Sequence, residues 1–107
     1  MVKLSVLVEG AHGLTWDRWK EFVVTVEEMG YAGLYGSDHF TLNAGPPDPE
    51  SLELIVSLAY AADHTTRLKL GPLVSPASLR DPVMLTRQML ALDDLSGGRM
   101  VSSSLVK

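Results

Sequence analysis

Cysteine is absent from the 107 residues, which excludes disulfides, thiolate metal sites and a thiol nucleophile. Long apolar runs are absent as well, and no segment approaches the ~20 consecutive apolar residues of a membrane span. Met1-Val2-Lys3 leads into a short apolar stretch that meets Glu9, without the extended apolar centre of a signal peptide. Basic residues are not in excess. Lys and Arg number 9 against 13 Asp and Glu, for a formal net charge of −4, and the two signs are interspersed, so no footprint for nucleic acid is present. Gly10-Ala11-His12-Gly13 fits no dinucleotide or P-loop fingerprint, and no Gly-x-Ser-x-Gly elbow supports a hydrolase. His12, His39 and His64 lack HxH or HExxH spacing, so no metal site is expected. What is left is the composition of an ordinary globular protein, expected to be soluble and cytoplasmic, with neither membrane nor nucleic acid as partner.

What is present is periodic. Leu4 to Val8 is a nearly continuous apolar run, as expected of a strand buried on both faces. Thr15 can cap a helix in which Trp16, Trp19, Phe22, Val23, Val26 and Met29 recur at three- and four-residue steps until Gly30 ends it. Residues 33–37 form a second strand candidate running into Asp38-His39-Phe40. After a loop rich in Asn, Gly and Pro, Asp48 before Pro49 offers a cap for a second helix lined by Leu52, Ile55, Val56, Leu58, Ala59 and Ala62. A third strand is expected over 67–74, irregular near Pro72. Asp81-Pro82 repeats the capping device before Val83, Leu85, Met89, Leu92 and Leu95, and Gly97-Gly98 stops that helix. Residues 99–106 are positioned to begin a fourth strand. Strands alternating with helices in this way indicate a parallel α/β sheet. An open doubly wound sheet and part of an eight-stranded barrel both satisfy the pattern.

Three stretches carry a resemblance that separates the two. Residues 30–40, Gly-Tyr-Ala-Gly-Leu-Tyr-Gly-Ser-Asp-His-Phe, residues 65–71, Thr-Thr-Arg-Leu-Lys-Leu-Gly, and residues 92–99, Leu-Asp-Asp-Leu-Ser-Gly-Gly-Arg, resemble in order and spacing the N-terminal part of the luciferase-like monooxygenases. The likeness is strongest to the branch that uses the deazaflavin coenzyme F420. It covers residues 1–99 and implies the N-terminal portion, about three and a half βα units, of a TIM-type (β/α)8 barrel. Such a barrel typically takes ~250 residues, so the chain is expected to be a truncated, partial barrel domain over 1–107. Residues 100–107, with Ser102, Ser103 and Ser104, diverge from the glycine-rich strand usual in relatives.

The resemblance also implies roles. Asp38 is expected to contact the coenzyme, and His39 to lie beside its reactive face, where an imidazole titrating near neutrality can move a proton while hydride is transferred. Leu73 and Val74 correspond to a bulge, with a non-proline cis peptide in relatives, that presses on one face of the tricyclic ring. F420 is the implied coenzyme and FMN the alternative, with a small-molecule substrate for the complete lineage. Without the resemblance, Asp38 and His39 read as a turn cap and an exposed histidine, and Leu73-Val74 as a strand ending between Pro72 and Pro76. His12 shares the expected catalytic face in a looser context. His64 falls at the opposite end and reads as structural, and Glu27-Glu28 and Asp93-Asp94 read as solvated helix ends. Unpaired edges and an uncovered sheet face predict a homo-oligomer, and a non-catalytic, self-associating fragment is the alternative function.

Overall fold

A computed structural model describes residues 3–8, 14–36, 52–72 and 81–101. Within them the chain alternates β1 (Ser5–Val8), α1 (Trp16–Glu28), β2 (Gly33–Gly36), α2 (Leu54–His64), β3 (Lys69–Pro72) and α3 (Pro82–Leu95). The strands form one parallel sheet in the order β1-β2-β3. Ser5, Gly33 and Lys69 are partners at its amino end, and Val8, Gly36 and Pro72 at its carboxyl end. A parallel bridge between Leu70 and Met100 extends the series in the same direction. Parallel crossovers are right-handed almost without exception, so an order that advances without reversing puts every helix on one face. A doubly wound sheet reverses at a switch point. The observed order shows no such reversal among the described strands and is similar to that of a barrel wall.

The helices begin where local chemistry starts them. Thr15 accepts from Arg18 N at 3.3 Å, and Asp81, ahead of Pro82 at the first helical position, accepts from Met84 N at 3.3 Å. For α2 the cap is Glu53, whose Oε1 accepts from Val56 N at 2.8 Å. Asp48, expected in that role, lies outside the described residues. Gly30 ends α1 with φ +82, a left-handed conformation in which Tyr31 N reaches Val26 O at 3.3 Å. The resulting six-to-one closure satisfies a terminal carbonyl, and a side chain at Gly30 would strain it.

One core holds the two layers together. Trp19, Val23 and Val26 from α1 meet Leu34 of β2, Leu68 and Leu70 beside and within β3, and the inner faces of α2 and α3. Trp19 is buried to 1% exposure, and its Nε1–H donates to Ser57 O at 2.8 Å, so the largest core side chain leaves no polar atom unmatched. Trp16, Phe22 and Met29, expected on the same stripe, are 38%, 40% and 65% exposed. Steps of i, i+4 and i+7 from Trp19 define the buried line, and Phe22 and Met29 lie off it. Trp16, three before Trp19 and seven before Val23, stands on it at the first residue of the helix, with its ring edge-on to Tyr60 at 5.9 Å.

The expectation of a first strand buried on both faces is corrected. Leu7 is 50% exposed and Ser5 is exposed, while Val6 and Val8 are half-buried. β1 is an edge strand among the described elements, and only one of its faces meets the helices. The apolar run that suggested double burial thus includes a side chain on the open face.

Candidate active site

The three strands stop at one level. Val8, Gly36 and Pro72 share a register row, so the chain leaves the sheet at neighbouring points ~5 Å apart from strand to strand. This is the carboxyl end, where barrel enzymes assemble their sites from successive loops. The amino ends of α1, α2 and α3 lie on the same side by connectivity, each closed by its own cap. Leu54, the first residue of α2, packs on the bare backbone of Gly36, where a Cβ would stand 2.7 Å from Leu54 Cδ1 and oblige that side chain to move. On the open face the row next to this rim is Leu7, Tyr35 and Gly71. Tyr35 leans towards the amino end over Gly33, where a Cβ would meet its Cε2 at 2.7 Å.

Asp38, His39, Leu73 and Val74 lie outside the described residues, as does His12. The structure brings together the anchors from which the two pairs depart, Gly36 and Pro72, as register partners. His64 is described. At the end of α2 its ring stacks on Tyr60, with centroids 3.8 Å apart and planes at 13°, and Nδ1 is 2.8 Å from Tyr60 O. This is a structural setting, remote from the rim. Among the described residues no cluster of His, Cys, Asp and Glu is arranged to hold a metal ion, and no helix is long and apolar enough to cross a membrane.

The strongest polar chemistry of the described residues is at the other end of the strands. Glu27, expected to be solvated, accepts from three consecutive backbone N–H groups: Arg67 at 2.8 Å, Thr66 at 3.0 Å and Leu68 at 3.1 Å. Partial burial pushes its carboxyl up, but the Arg67, Thr66 and Leu68 donors, with the Arg67 charge, outweigh this and hold it below the ordinary carboxylate range. Arg67 reciprocates by donating to Tyr31 O at 3.0 Å and, in a short contact, to Glu27 O. Arg99 does the same one unit later. Its Nε donates to Ser96 O at 2.6 Å, Nη1 to Thr65 Oγ1 at 2.7 Å and Leu68 O at 2.9 Å, and Nη2 to Ala62 O at 3.0 Å and Thr65 O at 2.8 Å. Asp93, also expected to be solvated, accepts from Met100 N at 3.2 Å. Polar residues at the amino end of such a sheet serve stability, and the geometry of each of these is that of a clamp.

The comparisons agree with this architecture. The family model described as luciferase-like monooxygenase matches residues 3–102. An uncharacterised protein of Sinorhizobium fredii is 36% identical over 69 residues, 64% of this chain and 19% of that protein. Among solved structures, the coenzyme F420-dependent tetrahydromethanopterin reductase of Methanopyrus kandleri superposes with a TM-score of 0.77 at 22% identity, over 94% of this chain and 26% of that one. An F420-dependent secondary alcohol dehydrogenase, in complex with an F420–acetone adduct, gives 0.80 at 14% identity, over 94% and 30%. A monooxygenase of Streptomyces bottropensis gives 0.71 at 18% identity, over 94% and 32%. The chain thus spans about a fifth to a third of the length of these proteins. A sheet that advances without reversal, strand ends gathered at one rim, and a family match over nearly every residue lead to one statement: the chain belongs to the luciferase-like monooxygenase family.

Proposed function

We propose that this chain forms part of the coenzyme wall of a flavin-type oxidoreductase, with deazaflavin F420 the better fit and FMN the alternative. The observation that carries the reading is the shared register row of Gly36 and Pro72. Asp38-His39 and Leu73-Val74 follow them in sequence by one to three residues, so both pairs leave adjacent strand ends on the side where barrels bind ligands. Two of the solved relatives are F420-dependent by description, which favours the deazaflavin. The coenzyme, when bound, supplies hydride transfer to or from a small-molecule substrate. In this arrangement Asp38 orients it through hydrogen bonding, Leu73 and Val74 press against one face, and His39 holds or moves the proton that accompanies hydride.

Binding tests the reading directly. Fluorescence polarisation of the 107-residue chain with F420 and with FMN is expected to show tighter F420 binding, weakened about tenfold or more by Asp38→Ala. Equal affinity in the variant would remove Asp38 from the wall. In a turnover-competent form, His39→Ala is expected to lower kcat by about 10²–10⁴-fold with little loss of stability.

A second reading is a self-associating module without independent activity. Leu4 and Leu7, 61% and 50% exposed at the β1 edge, favour it, because an edge strand with apolar side chains is a template for pairing. Sedimentation velocity is expected to show concentration-dependent association that Leu7→Lys reduces. A monodisperse monomer at every concentration would exclude this reading.

A further inference from the structure

A groove of about 620 Å³ opens at the amino end of the sheet, at the opposite end of the strands from the rim. Lys3, Arg67 and Lys69 supply its charge, and Leu4, Met29 and Tyr31 much of its apolar wall. We infer that this groove is a binding site for a small organic anion, a phosphate or carboxylate head on an apolar body.

Three observations carry the inference. The first is charge segregation. The chain is acidic overall, yet every carboxylate among the described residues stands on a helix or its cap, and none on a strand. Lys3 and Lys69 are exposed and have no carboxylate partner among the described residues. Glu27 accepts from three backbone donors and offsets the charge of Arg67, which leaves the two ammonium groups as the excess. Two uncompensated ammonium groups beside a guanidinium, in a concavity with low-dielectric walls, focus a positive potential that draws anions. The second is the lining. The aliphatic stem of Leu4, the thioether of Met29 and the ring of Tyr31 give a surface that an inorganic ion would not use and a hydrophobic body would. The third is size, because ~300–1,000 Å³ is the range in which small organic ligands are held. Arg67 is already fixed by Tyr31 O and Glu27 O, so it presents a pre-positioned charge, and the lysines close on the head group as point charges.

The test is a heteronuclear NMR titration of the 107-residue chain with phenyl phosphate, benzoate and inorganic phosphate. Saturable shifts confined to residues 3–4, 29–32 and 67–69, with phenyl phosphate or benzoate bound about tenfold or more tightly than inorganic phosphate, are the expected result. The ranking of the two aromatic probes identifies the head group. Lys3→Gln combined with Lys69→Gln leaves the clamp residues intact and is expected to weaken binding by about tenfold or more. Unchanged affinity in that variant, shifts scattered over the surface, or equal affinity for inorganic and aromatic phosphate would each overturn the proposal. The groove residues are distinct from Asp38 and His39, so Asp38→Ala leaves this titration unchanged even if the coenzyme reading fails.

Discussion

Arg67 and Arg99 solve the same problem in successive βα units with different means. A helix ends with carbonyl groups that have no partner within it. Arg67 reaches back to the end of α1, at Glu27 O and Tyr31 O, and Arg99 to the end of α2, at Ala62 O and Thr65 O. In both cases a planar fork of donors spans carbonyls that a single ammonium could not. The supports differ. The Arg67 clamp is exposed and rests on a carboxylate, Glu27, which draws the backbone of 66–68 onto α1. The Arg99 clamp is partly buried and rests on neutral groups, with Thr65 at 7% and Ser96 at 4% exposure. Charge pairing near water is weak and screened, whereas hydrogen bonds sheltered from water are costly to lose. The second clamp should therefore be the stronger, and the first the more sensitive to pH.

The largest expected effect follows from Arg99. Arg99→Ala removes five side-chain donor contacts and leaves partly buried carbonyls of α2 and of Leu68 unmatched, at a cost on the order of 3 kcal/mol. Urea unfolding measures this. Arg99→Lys is expected to recover less than half of the loss, because one ammonium cannot reach Ser96 O, Leu68 O and Ala62 O together. Full recovery by lysine would show that charge, and not the fork, does the holding.

Next in size is the first clamp. Glu27→Ala leaves three backbone N–H groups without their acceptor, but water reaches them, so the expected loss is about 1–2 kcal/mol. Arg67→Ala is expected to cost ~1 kcal/mol, and the double variant less than the sum, since the two side chains share one network. Strict additivity would mean that Glu27 and Arg67 act separately, and the contrast with Arg99 would lose its basis.

These clamps also explain what was legible from sequence. Thr15, Asp81-Pro82, Gly30 and Gly97-Gly98 act on backbone within a few residues, and each does in the structure what its chemistry announces. Gly71 was less visible. A Cβ there would lie 1.8 Å from Val101 O, a contact made by a segment 30 residues away, which no local pattern encodes. Glu27 read as a solvated helix end because its partners lie 39 to 41 residues on. Glu53 caps α2, although Asp48-Pro49 is the louder local signal. The resemblance did carry this information in another form. Two of its three stretches, 65–71 and 92–99, contain Thr65, Arg67, Leu68, Ser96 and Arg99, so they mark the locked amino end. The third runs from β2 into Asp38 and His39. Family likeness therefore secured the fold more firmly than the site.

The smallest expected effect is the one that separates the clamps most cleanly. Glu27 titrates below its ordinary value of 4.5 in the folded chain, so its ionised form is favoured by folding. The stability this contributes is complete above the unfolded value and is lost as pH falls through the lower folded value. A neutral carboxyl keeps its acceptor oxygens, so acid removes only part of what Glu27→Ala removes. Other carboxylates titrate over the same range, and the comparison must cancel them. The difference in unfolding free energy between the natural chain and Glu27→Gln is therefore the quantity to follow, by urea unfolding from neutral pH to about pH 3. It is expected to shrink as pH falls, because protonation makes the natural side chain as neutral as its replacement. The corresponding difference for Arg99→Ala is expected to stay level, since Ser96, Thr65 and the carbonyls they accompany do not titrate. A gap for Glu27→Gln that holds constant into acid would mean that hydrogen-bond geometry, and not charge, accounts for the first clamp, and the two arginine sites would then differ only in burial.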